Sequence, residues 1–294
     1  MLFKGLTTAL TTQFNEDGSI NREAMKTLIE TQIVGGVNAL CPCGTTGESP
    51  TLDHAEHIEL IKFTIEKANG RVPVLAGVGS NSTREAIQLA LAAKEAGASG
   101  GLAVSPYYNK PMPAGFLDYY RELAKVGLPI VLYDIPGRVG GSGVPVSIAL
   151  KLAEEGAICG VKWANGNIDW LMTFIQYKPE NILVLSGDDN LTFPLMALGG
   201  DGAISVLSNL KPNSMSRFMK SCLEGDWVTA REEHYRLLPL MKAIFLETNP
   251  IPVKAAMAFA YPVHFKAIYR SPMMPMEAAN LEKLKGIILQ YQDN

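Results

Sequence analysis

Apolar and polar positions fall into blocks along the chain, and the spacing within the blocks alternates. Short apolar runs ended by Gly, Pro, Asn or Asp read as buried strands. Longer segments with apolar residues three and four apart read as amphipathic helices. On this basis residues 5–12, 37–43, 72–78, 101–104, 129–134, 158–162, 182–186 and 202–206 are strands. Residues 22–34, 53–68, 83–96, 114–126, 146–155, 168–177, 191–198 and 212–223 are helices, each following one strand. Asn21 is placed to cap the first helix, after a turn at Glu16-Asp17-Gly18. Strand then helix, repeated about eight times over roughly 225 residues, predicts α/β architecture with a parallel sheet closed as a TIM (β/α)8 barrel. A doubly wound open sheet is the alternative. Beyond Gly225 the strand pattern stops, and residues 227–246, 252–260 and 276–290 read as helices. The expected organisation is a barrel over residues 1–225 with a C-terminal helical region over 226–294 packed on it.

With 47% hydrophobic residues in 294, the chain is rich enough to bury a sizeable core. The net charge of −3 comes from mixed signs, which points away from nucleic-acid and membrane partners. Cys41 and Cys43 are one residue apart, too close for a zinc or thioredoxin spacing; with Cys159 and Cys222 they read as reduced, mostly buried thiols. There is no basic-then-apolar start and no apolar run of about 18 residues, so a soluble, cytoplasmic protein is expected.

The chemically suggestive stretch is Ile158-Cys159-Gly160-Val161-Lys162-Trp163-Ala164-Asn165-Gly166. An apolar strand leads straight into Lys162, and a turn follows. A lysine at the carboxyl end of a buried strand is half out of a dry core, where burial favours the neutral, nucleophilic amine. Such an amine forms Schiff bases with carbonyl substrates. The competing reading is a structural lysine whose stem packs and whose head finds water. The other strand ends decide between them, because a barrel keeps its chemistry there. They carry Gly44-Thr45-Thr46-Gly47-Glu48-Ser49, Ser105-Pro106-Tyr107-Tyr108-Asn109, Tyr133-Asp134-Ile135-Pro136-Gly137-Arg138 and Ser186-Gly187-Asp188-Asp189. Each could be an ordinary turn or a solvated charge. Together they suit lysine chemistry on a keto acid: backbone N–H groups of a glycine turn for a carboxylate, tyrosine and threonine hydroxyls for proton transfer, and a guanidinium for a second carboxylate. Weaker signals lead elsewhere. The glycines of residues 137–143 fit neither the dinucleotide nor the P-loop pattern. His54 and His57 share a helix face but lack a third metal ligand. Lys254, in Asn249-Pro250-Ile251-Pro252-Val253-Lys254, is a second buried lysine, read as structural and off the barrel rim.

These motifs, in this order and over nearly the whole chain, resemble the pyruvate-dependent class I aldolase superfamily, and within it most closely the dihydrodipicolinate synthase family. N-acetylneuraminate lyases usually carry serine at the position of Thr45, and both they and the keto-deoxy-gluconate aldolases generally lack Arg138. The resemblance implies that Lys162 forms a Schiff base with pyruvate and that Tyr133 donates and accepts protons beside it. Thr45 would link Tyr133 to Tyr108, with Tyr108 reaching in from a neighbouring subunit. Thr45 and Thr46 would hold the pyruvate carboxylate, Arg138 the carboxylate of aspartate semialdehyde, and Gly187 and Ile204 would also line the substrate site. No metal or organic cofactor is implied, since the lysine imine is the electron sink. A homo-oligomer is implied, at least a dimer and commonly a tetramer.

The resemblance also implies a second site. Ser49, His54, His57, Asn81, Glu85 and Tyr107 match positions where inhibited members bind free L-lysine, while Pro50 departs from the usual small residue. The family's Tyr-Asn-Val-Pro-Ser-Arg-Thr-Gly stretch is here Tyr133-Asp134-Ile135-Pro136-Gly137-Arg138-Val139-Gly140, and its Glu-Ala after the lysine is Trp163-Ala164. The expected activity is condensation of pyruvate with aspartate semialdehyde, on the route to lysine and diaminopimelate. The alternatives are a pyruvate-forming lyase on a sugar acid and a non-catalytic keto-acid-binding barrel.

Overall fold

The computed structural model describes residues 2–141 and 143–291. Eight parallel strands alternate with helices: β1 Gly5–Ala9, β2 Ala39–Cys41, β3 Leu75–Gly77, β4 Gly100–Val104, β5 Ile130–Asp134, β6 Gly160–Trp163, β7 Leu183–Ser186 and β8 Gly202–Ser205. The strands hydrogen-bond in the order β2-β1-β8-β7-β6-β5-β4-β3. The two ends of that order meet, because Leu40 N–H donates to Pro73 O at 3.1 Å and Gly77 N–H to Pro42 O at 3.0 Å. The result is the expected barrel rather than an open sheet.

The helices are α1 Arg22–Val34, α2 His54–Ala68, α3 Thr83–Glu95, α4 Pro113–Ala124, α5 Pro136–Val139, α6 Val146–Glu154, α7 Ile168–Tyr177, α8 Thr192–Ala197, α9 Pro212–Glu224, α10 Trp227–Ala243, α11 Ile251–Ala260 and α12 Ala278–Leu289. Several begin on a side-chain cap. Asn21 accepts from Ala24 N–H, and Asp53 with Glu56 forms a reciprocal capping box. These contacts satisfy backbone donors that the first helical turn leaves unpaired.

Strand side chains point alternately inward and outward. Ala9, Cys41, Leu75, Leu102, Val131, Tyr133, Leu185 and Ile204 fill the barrel interior, with Phe3 in the same cluster. The outward set packs under the helices in one larger cluster. That cluster also takes in Leu237, Leu240 and Met241 of α10, Val253 and Met257 of α11, and Leu284 and Ile288 of α12. The C-terminal helices thus share the barrel's outer apolar layer.

Most differences from the sequence reading are local. The expected strand over 37–43 is only Ala39–Cys41. Pro42 has no N–H to continue the ladder, and Cys43 turns into the left-handed region at φ 57°. The short helix α5, which carries Arg138, has too few residues to show a period.

Candidate active site

Lys162 lies in β6 with Tyr133 of β5 on one side in register and Leu185 of β7 on the other. Neighbours in register on parallel strands face the same way, so all three point into the barrel. Lys162 is 5% exposed, and its Nζ sits 4.0 Å from the centroid of the Tyr133 ring. Gly187, one residue past β7, leaves room for the lysine stem. A Cβ there would fall 2.6 Å from Ala164 Cβ and 3.1 Å from Lys162 Cε. Ile204 is buried in the interior cluster on β8.

The electrical surroundings of Lys162 are mostly desolvated. Burial raises the carboxyl groups of Asp188 and Asp189 above the usual aspartate range, and the positive charge of Lys162 opposes this. Asp189 is held by N–H donors from Val206 at 3.0 Å and Leu207 at 2.8 Å. Burial pushes the Cys41 thiol up to about 12, again against the pull of Lys162. All four cysteines are free thiols. Among the described residues no group of His, Cys, Asp and Glu is arranged to hold a metal ion.

The loop after β2 carries Thr45 and Thr46. Thr46 is buried, and its Oγ1 accepts from Asn249 Nδ2 at 3.0 Å. Arg138 leans from α5 toward the same segment and donates from Nη2 to Asn249 O at 2.9 Å. Thr45 and Arg138 both line a cavity of about 350 Å³. Ser49, His54, His57, Glu85 and Tyr107 line the same cavity. The second set of residues therefore opens onto the mouth that holds Thr45 and Arg138. Asn81 is not part of the lining; its carbonyl accepts from Asn109 Nδ2 at 2.8 Å.

Within that cavity Glu85 accepts from Ser80 Oγ and pairs with His54 Nε2. Both contacts hold its carboxyl below the usual glutamate range, Ser80 most. His57 donates from Nε2 to Gly77 O at 2.7 Å, and burial lowers its readiness to take a second proton. Tyr108 stands apart from the buried Lys162–Tyr133 pair: it is 89% exposed, with a left-handed φ of 68°.

One expectation needs correcting. Lys254 is structural in its contacts, but it is not remote from the rim. Its Nζ lies 2.6 Å from Glu48 Oε1 with both side chains fully buried, and Glu48 belongs to the Thr45–Thr46 loop. Burial draws Lys254 below the ordinary lysine range, while the Glu48 charge pulls it back.

A model of the dihydrodipicolinate synthetase family matches residues 2–291. The chain belongs to this family. The 4-hydroxy-tetrahydrodipicolinate synthase of Nitratidesulfovibrio vulgaris is 44% identical over 289 residues, covering 98% of each chain. The dihydrodipicolinate synthase of Aquifex aeolicus superposes with a TM-score of 0.95 at 42% identity over 98% of both chains. The dihydrodipicolinate synthase of Cyanidioschyzon merolae, solved with lysine bound, superposes at 0.93 with 34% identity over 98% of both chains.

As a dihydrodipicolinate synthetase family member, the chain departs from the usual pattern at Asp134, and the structure gives that residue a job. Its carboxylate accepts from Val144 N–H at 2.9 Å and from Asn165 Nδ2 at 2.7 Å, tying the loop after α5 to the loop after β6. Burial raises its pKa, and the two hydrogen bonds oppose that rise without cancelling it. Trp163 points away from Lys162 into the helical layer and is fully buried. Asn249 is the site contact that sequence reading missed. Its bond to Thr46 spans 203 residues, a separation that leaves no local signal.

Proposed function

We infer that this chain condenses pyruvate with L-aspartate-4-semialdehyde to give 4-hydroxy-tetrahydrodipicolinate. The observation that carries this is the buried, inward-facing Lys162 amine over the Tyr133 ring, with Thr45 and Arg138 on segments that follow the carboxyl ends of β2 and β5 in the same barrel. In the proposed sequence Lys162 Nζ attacks the keto carbon of pyruvate. Loss of water gives a protonated imine, and loss of a methyl proton gives an enamine. The enamine carbon attacks the aldehyde, forming the new carbon–carbon bond. The amine of the second substrate then attacks the imine carbon, closing the ring and releasing Lys162. Tyr133 is the nearest phenol to carry the protons gained and lost at each step. The imine nitrogen takes up the electron pair, so the route calls for no metal or organic cofactor.

Thr45 and Thr46 are assigned to the pyruvate carboxylate, with Gly187 and Ile204 shaping the space around the imine. Arg138 is assigned to the carboxylate of the aldehyde, with a geometry suited to a bidentate contact. Tyr108 is assigned to the site of a neighbouring copy. Its exposure and left-handed backbone hold a large aromatic ring outward, where only another chain can bury it. The functional unit is therefore at least a homodimer, and a tetramer fits the family pattern. Among the described residues no helix is long and apolar enough to cross a membrane, and a cytoplasmic enzyme is proposed.

L-Lysine is the proposed inhibitor. Ser49, His54, His57, Glu85 and Tyr107, with Asn81 at the margin, surround a space into which the ionised Glu85 brings the charge an amino-acid ammonium needs. The lysine-bound relative supports this reading.

The test is to supply aspartate semialdehyde, or instead an aldose or N-acylated sugar, to the pyruvate-loaded enzyme and follow consumption of each. Turnover of aspartate semialdehyde is expected. Arg138→Ala is expected to lower its kcat/KM by about 10- to 150-fold, the loss of one charge-assisted contact. Preferential turnover of the sugar would assign the chain to lyase chemistry.

A further inference from the structure

Asn249 is 6% exposed and lies just before α11, where the C-terminal helices reach the barrel mouth. Its side chain donates to Thr46 Oγ1 at 3.0 Å, and its backbone carbonyl accepts from Arg138 Nη2 at 2.9 Å. One residue thus touches the group assigned to each substrate carboxylate. A hydroxyl that accepts from an amide N–H keeps its own proton free to give away. With Asn249 in place, Thr46 is set as a donor, which is what a carboxylate requires. Asn249 Oδ1 is buried without a hydrogen-bond partner among the described residues. A buried acceptor left open is a cost that a purely structural asparagine would avoid. Turning the amide over would set Oδ1 against the Thr46 hydroxyl and consume the proton meant for substrate.

The segment is well anchored. Lys254 N–H donates to Pro250 O at 3.1 Å, Lys254 Nζ holds Glu48, and Tyr269 Oη donates to Ile251 O at 2.9 Å. The C-terminal region therefore presents Asn249 from a fixed base rather than from a loose loop.

We propose that Asn249 is a positioning residue that fixes the donor direction of Thr46 toward the keto-acid carboxylate and, through its carbonyl, holds Arg138 at the second carboxylate position. This rests on the assignment of Thr46 and Arg138 given above. The test is a double-mutant cycle with steady-state KM values for both substrates, using Asn249→Leu, Asn249→Asp, Thr46→Val and the two doubles. Each Asn249 variant is expected to raise the pyruvate KM about tenfold, the loss of one hydrogen bond to a charged group, with kcat at saturation within about threefold. The Asn249 carbonyl survives in every variant, so the aldehyde KM should stay within about twofold, whereas general damage to the fold would move both constants. In the Thr46→Val background, either Asn249 change should add less than about twofold. Asn249→Asp keeps the shape of the side chain if Asn249→Leu fails to fold. A pyruvate KM that rises with Thr46→Val but not with the Asn249 variants would overturn the proposal. So would Asn249 effects of the same size with and without the Thr46 hydroxyl. An unchanged pyruvate KM in Thr46→Val alone would instead overturn the assignment of Thr46.

Discussion

Lys254 Nζ and Glu48 Oε1 are 2.6 Å apart, and neither side chain reaches solvent. The pair joins α11 to the loop that carries Thr45 and Thr46. It is also lined by aromatic faces, with Nζ 4.5 Å from the Phe14 centroid and 5.2 Å from that of Tyr269. Two charges in such a place depend on each other, since removing one leaves the other desolvated and unpaired. Lys254→Met is therefore expected to cost about 3–5 kcal/mol of stability, while Lys254→Met with Glu48→Leu should recover most of the loss. Denaturant unfolding of the wild type, the single variant and the double variant checks this. A double variant as unstable as the single would show that the pairing is not what matters.

His57 predicts an acid-side loss of stability. Its ring is buried and donates to Gly77 O, and burial depresses its pKa in the folded chain. The unfolded chain therefore binds the proton first as pH falls below about 6.5. Stability from this residue is present above that value and is lost as pH falls toward the depressed folded value. His57→Gln removes the titration and keeps a donor for Gly77 O. The melting temperature of the wild type should fall relative to this variant between neutral pH and about pH 5. A constant difference across that range would rule out the His57 contribution.

Tyr108 gives a test of subunit sharing. Exposed in one chain, it is assigned to the site of a neighbour. Lys162→Ala and Tyr108→Phe variants, each impaired alone, should complement when dissociated together and reassembled. With random pairing into dimers, about a quarter of the sites would combine an intact Lys162 with an intact Tyr108 from the other chain. Activity near that fraction of wild type is expected. Mixtures no better than the average of the two variants would place Tyr108 in its own chain's site.

The barrel was legible because its information is local. Strand and helix periods, with turn residues between them, mark each unit within about 30 residues. Lys162 stood out for the same reason, as a charge at the end of an apolar run. The contacts around it were not legible in that way. Asn249 reaches Thr46, and Lys254 reaches Glu48, across more than 200 residues, and no spacing rule links such positions. Lys254 consequently reads as off the rim, whereas it sits against the loop that carries Thr45 and Thr46. The end of β2 was overestimated because apolar character continues through Pro42 and Cys43 after the ladder has lost its donor. The proposed inhibitor residues read as a separate site because only the folded chain brings Glu85 and His54 onto the cavity that Thr45 and Arg138 share.

The most direct test of the lysine chemistry is reduction with sodium borohydride in the presence of pyruvate, followed by peptide mass mapping. The adduct is expected on Lys162, with little on Lys254, which Glu48 occupies, and none in a Lys162→Ala control. An unmodified Lys162, or an adduct carried by another lysine, would contradict a Schiff base at this position.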